Sequence, residues 1–340
     1  MSKNTAEGDD KVGEKVEHKK DIKPPFLPDL NEKETKADIQ KRLQGYANII
    51  RSLKGEKKER LTGNPITLQM ALEITLRGRE RFMTEPPIVS TSGGICVVGD
   101  LHSNLMELLT LLDKLGIPPF QRLLFLGDYV DRGDFGVEVV CLLTIYKILY
   151  PKHIYLLRGN HETRAMNIFY GFLNECKRKY GRRRGRLMYT YFGHMFNVLP
   201  IAAVIGGRIF CAHGGISRAL RNVTQLKKIA RPYDVADFGI LCDLVWSDPV
   251  GSSIDFALSP RKIGTVFGTN GLKEFFENTG MDLLIRAHQS VPEGTELTLG
   301  GSLTVFSVPN YMDDNNKGGV AYVDNDLNVR CYRFKSTKDQ

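Results

Sequence analysis

Long apolar runs are missing from this 340-residue chain. Nothing approaches the ~20 apolar residues that cross a bilayer, and no apolar segment of secretory type opens the sequence, so membrane insertion is not expected. Paired cysteines are missing as well. Cys96, Cys141, Cys176, Cys211, Cys242 and Cys331 stand apart, with no CxxC spacing. That argues against a zinc knuckle or a disulfide framework, and it fits reduced thiols in cytoplasm or nucleus. No internal repeat is visible. The first forty residues lack a charge bias towards the positive, with eight Lys against ten Asp and Glu, so the net charge of +8 arises further along. Solvated surface lysines account for most of that excess, and no nucleic-acid partner is expected from it.

What is present is the composition of a soluble globular protein, 42% hydrophobic and 25% charged. Residues 1–37 are polar and aperiodic, interrupted by "KPPFLPDL", and read as a disordered tail. "ADIQKRLQGYANIIRSLKGE" and "ITLQMALEITLRGRERFMTEPP" then have helical spacing, the second stopping at Pro86 and Pro87. From residue 94 short β-branched runs follow one another: "ICVV", "RLLFL", "HIYLL", "RIFCA", "LLIRA" and "TVFSV". Helical stretches such as "NLMELLTLLDKLG" and "VEVVCLLTIYKILY" separate the early ones. Alternating strand and helix predicts an α/β layered fold, whose reactive groups gather at the carboxyl ends of strands.

Just past those runs lie "GDLHSN", "GDYVDRG", "GNHE", "HGG", "RAHQ" and "PNY". They supply Asp100, His102, Asp128, Asn160, His161, His213 and His288, which include four of the seven histidines. Oxygen and imidazole donors without thiolates suit hard or borderline divalent ions such as Mn, Fe or Zn. A lone "GD" is usually a turn and a lone "HGG" usually a loop. Their succession at strand ends makes the bland reading of each improbable.

"GDxH…GDYVDRG…RGNHE…HGG" resembles the signature of the metallophosphoesterase superfamily, in its serine/threonine phosphoprotein phosphatase branch. "YGFLNECKRKYG", "LPIAAVI", "LCDLVWSDP" and "FSVPNY" look most like the type 1 protein phosphatase catalytic subunit. The similarity runs from about Ala37 to Phe334, which implies a catalytic domain over 38–334 and a short disordered end at 335–340. The implied fold is a β-sandwich flanked by helices, with a dinuclear metal site at the carboxyl ends of the strands.

Carried over by position, the resemblance implies that Asp100, His102 and Asp128 hold one metal and that Asp128, Asn160, His213 and His288 hold another. A water or hydroxide shared by the two ions would attack phosphoserine or phosphothreonine directly. His161 would be the general acid, oriented by Asp131. Arg132 and Arg261 would clamp phosphate, with Tyr311 near the substrate oxygen. Arg158 matches no clamp and reads as scaffold. Phosphorylated proteins are the implied substrates, and regulatory or targeting subunits the implied partners, through an apolar groove including Leu283 and Leu297.

The chain departs from the pattern at Ser103, where the family has glycine, and at Asn104. Lys262 also replaces a glycine, Thr163 and Met312 replace cysteines, and the loop 181–186 is more basic than usual. The chain's end at Gln340 argues against the calcium-regulated branch. Two other readings stay open: a related hydrolase acting on another phosphoester, and a scaffold weakened by Ser103 and Lys262.

Overall fold

The computed structural model describes residues 34–55 and 65–336, so most of the tail expected over 1–37, and residues 337–340 of the end expected over 335–340, lie outside the described residues. Helix α1 (Lys36–Gly55) starts where Thr35 and Asp38 exchange bonds, each backbone N–H donating to the other's side-chain oxygen. Helix α2 (Leu68–Met83) is capped by the Thr67 hydroxyl, which accepts from the Met70 N–H. Among the described residues no helix is long and apolar enough to cross a membrane.

Strands and helices then alternate: β1 (Ile88–Thr91), β2 (Ile95–Val98), α3 (Leu105–Leu115), β3 (Arg122–Phe125), α4 (Gly136–Leu149) and β4 (Ile154–Leu156). A helical stretch follows as α5 (Arg164–Asn167), α6 (Phe172–Tyr180) and α7 (Arg182–Phe196). Next come β5 (Ala202–Ile205), β6 (Ile209–Ala212), α8 (Thr224–Lys227), α9 (Ile240–Trp246), β7 (Asp248–Pro249), β8 (Phe256–Leu258), β9 (Thr265–Phe267) and α10 (Thr269–Thr279). The described chain finishes with β10 (Leu283–Arg286), β11 (Thr295–Thr298), β12 (Ser302–Val305), β13 (Gly318–Val323) and β14 (Val329–Phe334).

Two mixed sheets form the centre, in the orders β1-β5-β6-β10-β12-β11 and β14-β13-β2-β3-β4. Alternation along each strand explains why the runs read as continuously apolar. Ile95 and Val97 of β2, with Leu124, Ile285, Leu303 and Ala321, fill the space between the sheets. Cys96 and Val98, on the opposite face, meet the helical layer of α1 to α4, α6 and α7. Phe210, Ala212 and Leu284 face a second layer containing α9 and α10. The fold is thus the helix-flanked sandwich the sequence implied. A small third sheet, β7-β9-β8, lies beyond it.

One expectation needs correction. The basic segment 181–186 is no loop: Gly181 ends α6, and α7 begins at once with Arg182. Arginine is a good helix former, and a side chain at Gly185 would collide with the carbonyl of Cys176, so this glycine lets α7 close against α6 rather than breaking the helix.

Candidate metal centre

Each expected ligand hangs from the carboxyl end of a strand, and Asp128 is the hub. Its Oδ2 lies 3.6 Å from His102 Nε2, 3.3 Å from His213 Nε2 and 4.0 Å from His161 Nε2. Its Oδ1 accepts the His161 backbone N–H at 2.9 Å, which fixes the carboxylate. Asp100 Oδ2 is 3.6 Å from His102 Nε2, and Asp100 Oδ1 accepts the His288 N–H at 3.0 Å. His102 donates Nδ1–H to the Val130 carbonyl at 3.1 Å, leaving Nε2 to face the carboxylates. Asn160 Oδ1 is 2.8 Å from His213 Nε2, and His288 Nδ1 is 3.2 Å from the same nitrogen.

The glycines beside these ligands have a reason beyond sharp turning. A side chain at Gly159 would collide with Asp128, and one at Gly127, where φ is 121°, with the Gly159 backbone. The ends of β3 and β4 can approach so closely only as glycines. Glu162 secures the same junction by accepting from the backbone N–H groups of Asp128, Tyr129 and Gly159. Burial and the Asp128 charge raise the Glu162 pKa.

The donor set fits divalent cations. His213 Nε2 meets an amide oxygen, a carboxylate oxygen and an imidazole nitrogen, three acceptors for at most one proton. His213 Nδ1 and His288 Nε2 are buried without a hydrogen-bond partner among the described residues. Burial disfavours charge on both imidazoles, yet the Asp128 carboxylate raises the His213 pKa, while His213, Arg286 and Arg261 keep that of His288 well below the usual range. Burial likewise opposes protonation of His102, but Asp100 and Asp128 lift its pKa to about 9. Such a set of crowded acceptors is resolved by positive ions better than by shared protons. Two groups, His102–Asp128–His161 and Asp128–His213–His288, each place their ligand atoms within 4.8 Å of one another. The first contains His161 instead of Asp100. His161 Nδ1, however, is committed to Asp131 Oδ2 at 2.6 Å, and Asp131 Oδ1 accepts the Phe172 N–H at 2.9 Å.

The remaining expected residues border one open cleft of 710 Å³, lined by Asp100, His102, Asp128, Asn160, His161 and His288 and also by Arg132, Arg261 and Tyr311. His213 and Asp131 lie buried behind that lining. Arg132 sits over the Tyr170 ring at 4.2 Å, and Tyr311 stacks on His102 at 5.0 Å. Arg261 Nε donates to Asp248 Oδ2 at 2.6 Å. Arg158 is fully buried and donates to the carbonyls of Glu162 and Tyr233, as expected of scaffold. Leu283 is half-buried and Leu297 exposed on edge strand β11.

Sequence reasoning missed several neighbours. Tyr170 under Arg132 and Trp246 edge-on to His288 at 5.4 Å stand inside "YGFLNECKRKYG" and "LCDLVWSDP", which gave them no role at the site. Glu162 was visible inside "GNHE", though not as a backbone clamp. Asn104, noted only as a departure, proves to be the cap of α3, its Oδ1 accepting from Glu107 N–H.

Comparison with known proteins agrees with this arrangement. Residues 94–292 match the calcineurin-like phosphoesterase family. A protein serine/threonine phosphatase from Saccharomyces cerevisiae, with similarity to human phosphatase PP5, is 30% identical, with a TM-score of 0.76 over 88% of this chain and 96% of that one. A cold-active protein-tyrosine phosphatase of a psychrophilic Shewanella shares the fold at 15% identity, with a TM-score of 0.52 over 75% of this chain and 84% of that one.

Proposed function

The chain belongs to the calcineurin-like phosphoesterase family, whose members use divalent metals, and from that premise we propose that it is a protein serine/threonine phosphatase. The observation that carries the reading is the convergence of Asp128 Oδ2 on His102 and His213, with the His161–Asp131 pair on the same rim. Similarity to the yeast phosphatase supports phosphorylated serine and threonine as the target. On this reading Asp100, His102, Asp128, Asn160, His213 and His288 hold two divalent ions of the Mn, Fe or Zn class. Bound there, such ions supply positive charge opposite phosphoryl oxygens and lower the pKa of water towards ~7.

The protein's own groups do the rest. The Arg132 and Arg261 guanidiniums, both on the cleft wall, orient the phosphate, and Tyr311 borders the same space. His161 presents Nε2 to the cleft while Asp131 holds its Nδ1–H. A carboxylate behind an imidazole fixes the tautomer and stabilises the imidazolium, so Nε2 can deliver a proton to a departing serine or threonine oxygen. Phosphorylated proteins are then the substrates, and regulatory subunits act at surfaces outside the cleft.

The weakened-scaffold reading gains little. Ser103 and Lys262 both take left-handed backbone, φ 61° and 64°, yet the Asp100, His102 and Asp128 ligand atoms still converge next to Ser103.

The test is His161→Asn assayed on two substrates. On a phosphoserine peptide, kcat should fall on the order of 10²–10⁴-fold, the usual worth of a general acid. On p-nitrophenyl phosphate, whose leaving group needs no proton, the fall should be far smaller, and metal content should persist. Equal losses on both substrates would remove His161 from the acid role.

A further inference from the structure

Five cations at the α6–α7 corner lack a counter-charge among the described residues. Lys177, Arg182, Arg183, Arg184 and Arg186 have no carboxylate within ion-pair distance among the described residues. Their neighbours do: Arg178 pairs with Asp134 at 2.6 Å, and Lys179 is held between Glu138 and Glu175. The four arginines are exposed and crowd the start of α7, which has neither an acidic residue in its first turn nor a side-chain cap. The positive end of a helix dipole disfavours cations. A sequence that breaks a local rule without compensation in the fold does so most often at a functional surface.

Two chains of contact tie this turn to the cleft. The Phe172 N–H that opens α6 donates to Asp131, and Tyr170 stacks on Arg132. The nine residues of α6 then cover about 13 Å. From the other side, Tyr189, one turn beyond Arg186, donates its hydroxyl to Asn167 Oδ1 at 2.7 Å, and Asn167 Nδ2 donates to the His161 carbonyl at 3.1 Å. Followed along either path, the arginines lie within roughly 25 Å of the reacting groups, a span that an extended peptide covers in up to about eight residues.

We propose that the Arg182–Arg186 turn is a substrate-docking surface selecting phosphoproteins that carry a cluster of Asp and Glu about four to eight residues from the phosphorylated residue. The inference rests on the phosphatase reading above and adds a substrate class to it. Guanidinium forks match carboxylates two bonds at a time. Nucleic acid is the poorer fit, because stacking needs exposed rings beside the cations, whereas Tyr189 and Tyr191 are half-buried and the exposed rings of Phe169 and Tyr170 lie at the far end of α6. An anionic membrane is also a poorer fit, since Leu187 is the one large apolar side chain that α7 exposes.

The experiment compares kcat/KM on phosphoserine peptides that differ only in three Glu or three Gln placed about five residues away, on either side. Wild-type protein should prefer the Glu peptide by roughly tenfold at low salt, and less as salt screens the attraction. The variant Arg182→Gln/Arg183→Gln/Arg184→Gln/Arg186→Gln keeps helix propensity. It should treat both peptides alike, with unchanged kcat/KM on the Gln peptide and unchanged Tm. Equal rates for wild type, or a preference surviving in the variant, would overturn the proposal alone. So would a variant that loses both peptides equally, since the arginines would then serve the fold or the chemistry. Wild-type turnover of p-nitrophenyl phosphate but of neither peptide would sink the phosphatase reading and this inference together. Salt-sensitive capture of phosphatidylserine vesicles or single-stranded RNA without any peptide preference would assign the arginines elsewhere and overturn it too.

Discussion

The rim of the cleft and the sandwich interior beneath it obey opposite rules. Between the sheets, Ile95, Val97, Leu124 and Ile285 are apolar and fully buried, and no residue of β2, β3, β6 or β10 has a positive φ. A few residues onward, His102, Ser103, Asp128, Asp131, Arg132 and His288 all do, between 41° and 70°. Left-handed backbone at a non-glycine residue costs on the order of 1–3 kcal/mol and survives only where the surroundings over-determine it. Here the Glu162 carboxylate, the His161 N–H and the His288 N–H pin the distorted segments to one another. The lower layer supplies stability and the upper layer uses it to hold polar atoms where none would otherwise gather.

The sharpest way to break that contrast is at Asp128. Asp128→Asn keeps the oxygen that accepts the His161 N–H but removes the charge shared by His102 and His213. Turnover should drop by ~10³-fold or more, with loss of bound metal by elemental analysis, because the residue belongs to both candidate ligand groups. The fold, read by circular dichroism, should remain. Full metal content with full turnover would mean that the rim does not work as a unit.

The complementary change lies in the interior. Ile95 opens β2, about 16 Å along the strand from Asp100, and is wholly buried. Ile95→Ala should destabilise by about 2–5 kcal/mol in denaturant unfolding. The kcat of the folded fraction should stay within about twofold, as expected for distant sites. A comparable collapse of kcat would show that interior packing tunes the ligands directly, and the two layers would no longer be separable.

The same contrast explains what could be read from the amino-acid order. Strands buried on both faces appear as unbroken apolar runs, so β2, β3, β4, β6 and β10 were legible, and with them the ends from which the ligands hang, whereas "TVFSV" (304–308) overlaps β12 only at Thr304 and Val305. Strands β7, β8 and β9 are two or three residues long, and β8 is largely exposed, so no pattern betrays them. The start of α7 was hidden because the basic segment 181–186 resembles a loop in sequence, whereas Gly185 is a close helix contact. Tyr170 reaches Arg132 through tertiary placement alone. What periodicity and strand ends encode was visible, and what packing across separate segments decides was not.

The smallest expected effect concerns Ser103, the residue between the first ligand pair and α3. Its φ of 61° is one that glycine adopts without penalty, and its hydroxyl is buried with no hydrogen-bond partner among the described residues. Ser103→Gly should relieve both the backbone strain and the unsatisfied oxygen, while the freer unfolded chain offsets part of the gain. The balance is a stabilisation of about 1 kcal/mol, read as a higher denaturation midpoint at constant slope. His102 keeps its bond to Val130 and Asn104 its cap on α3, so kcat should barely change. If Ser103→Gly instead destabilised the protein, the hydroxyl would be contributing a contact to the rim, and the strain there would be compensated locally, not by the sandwich below.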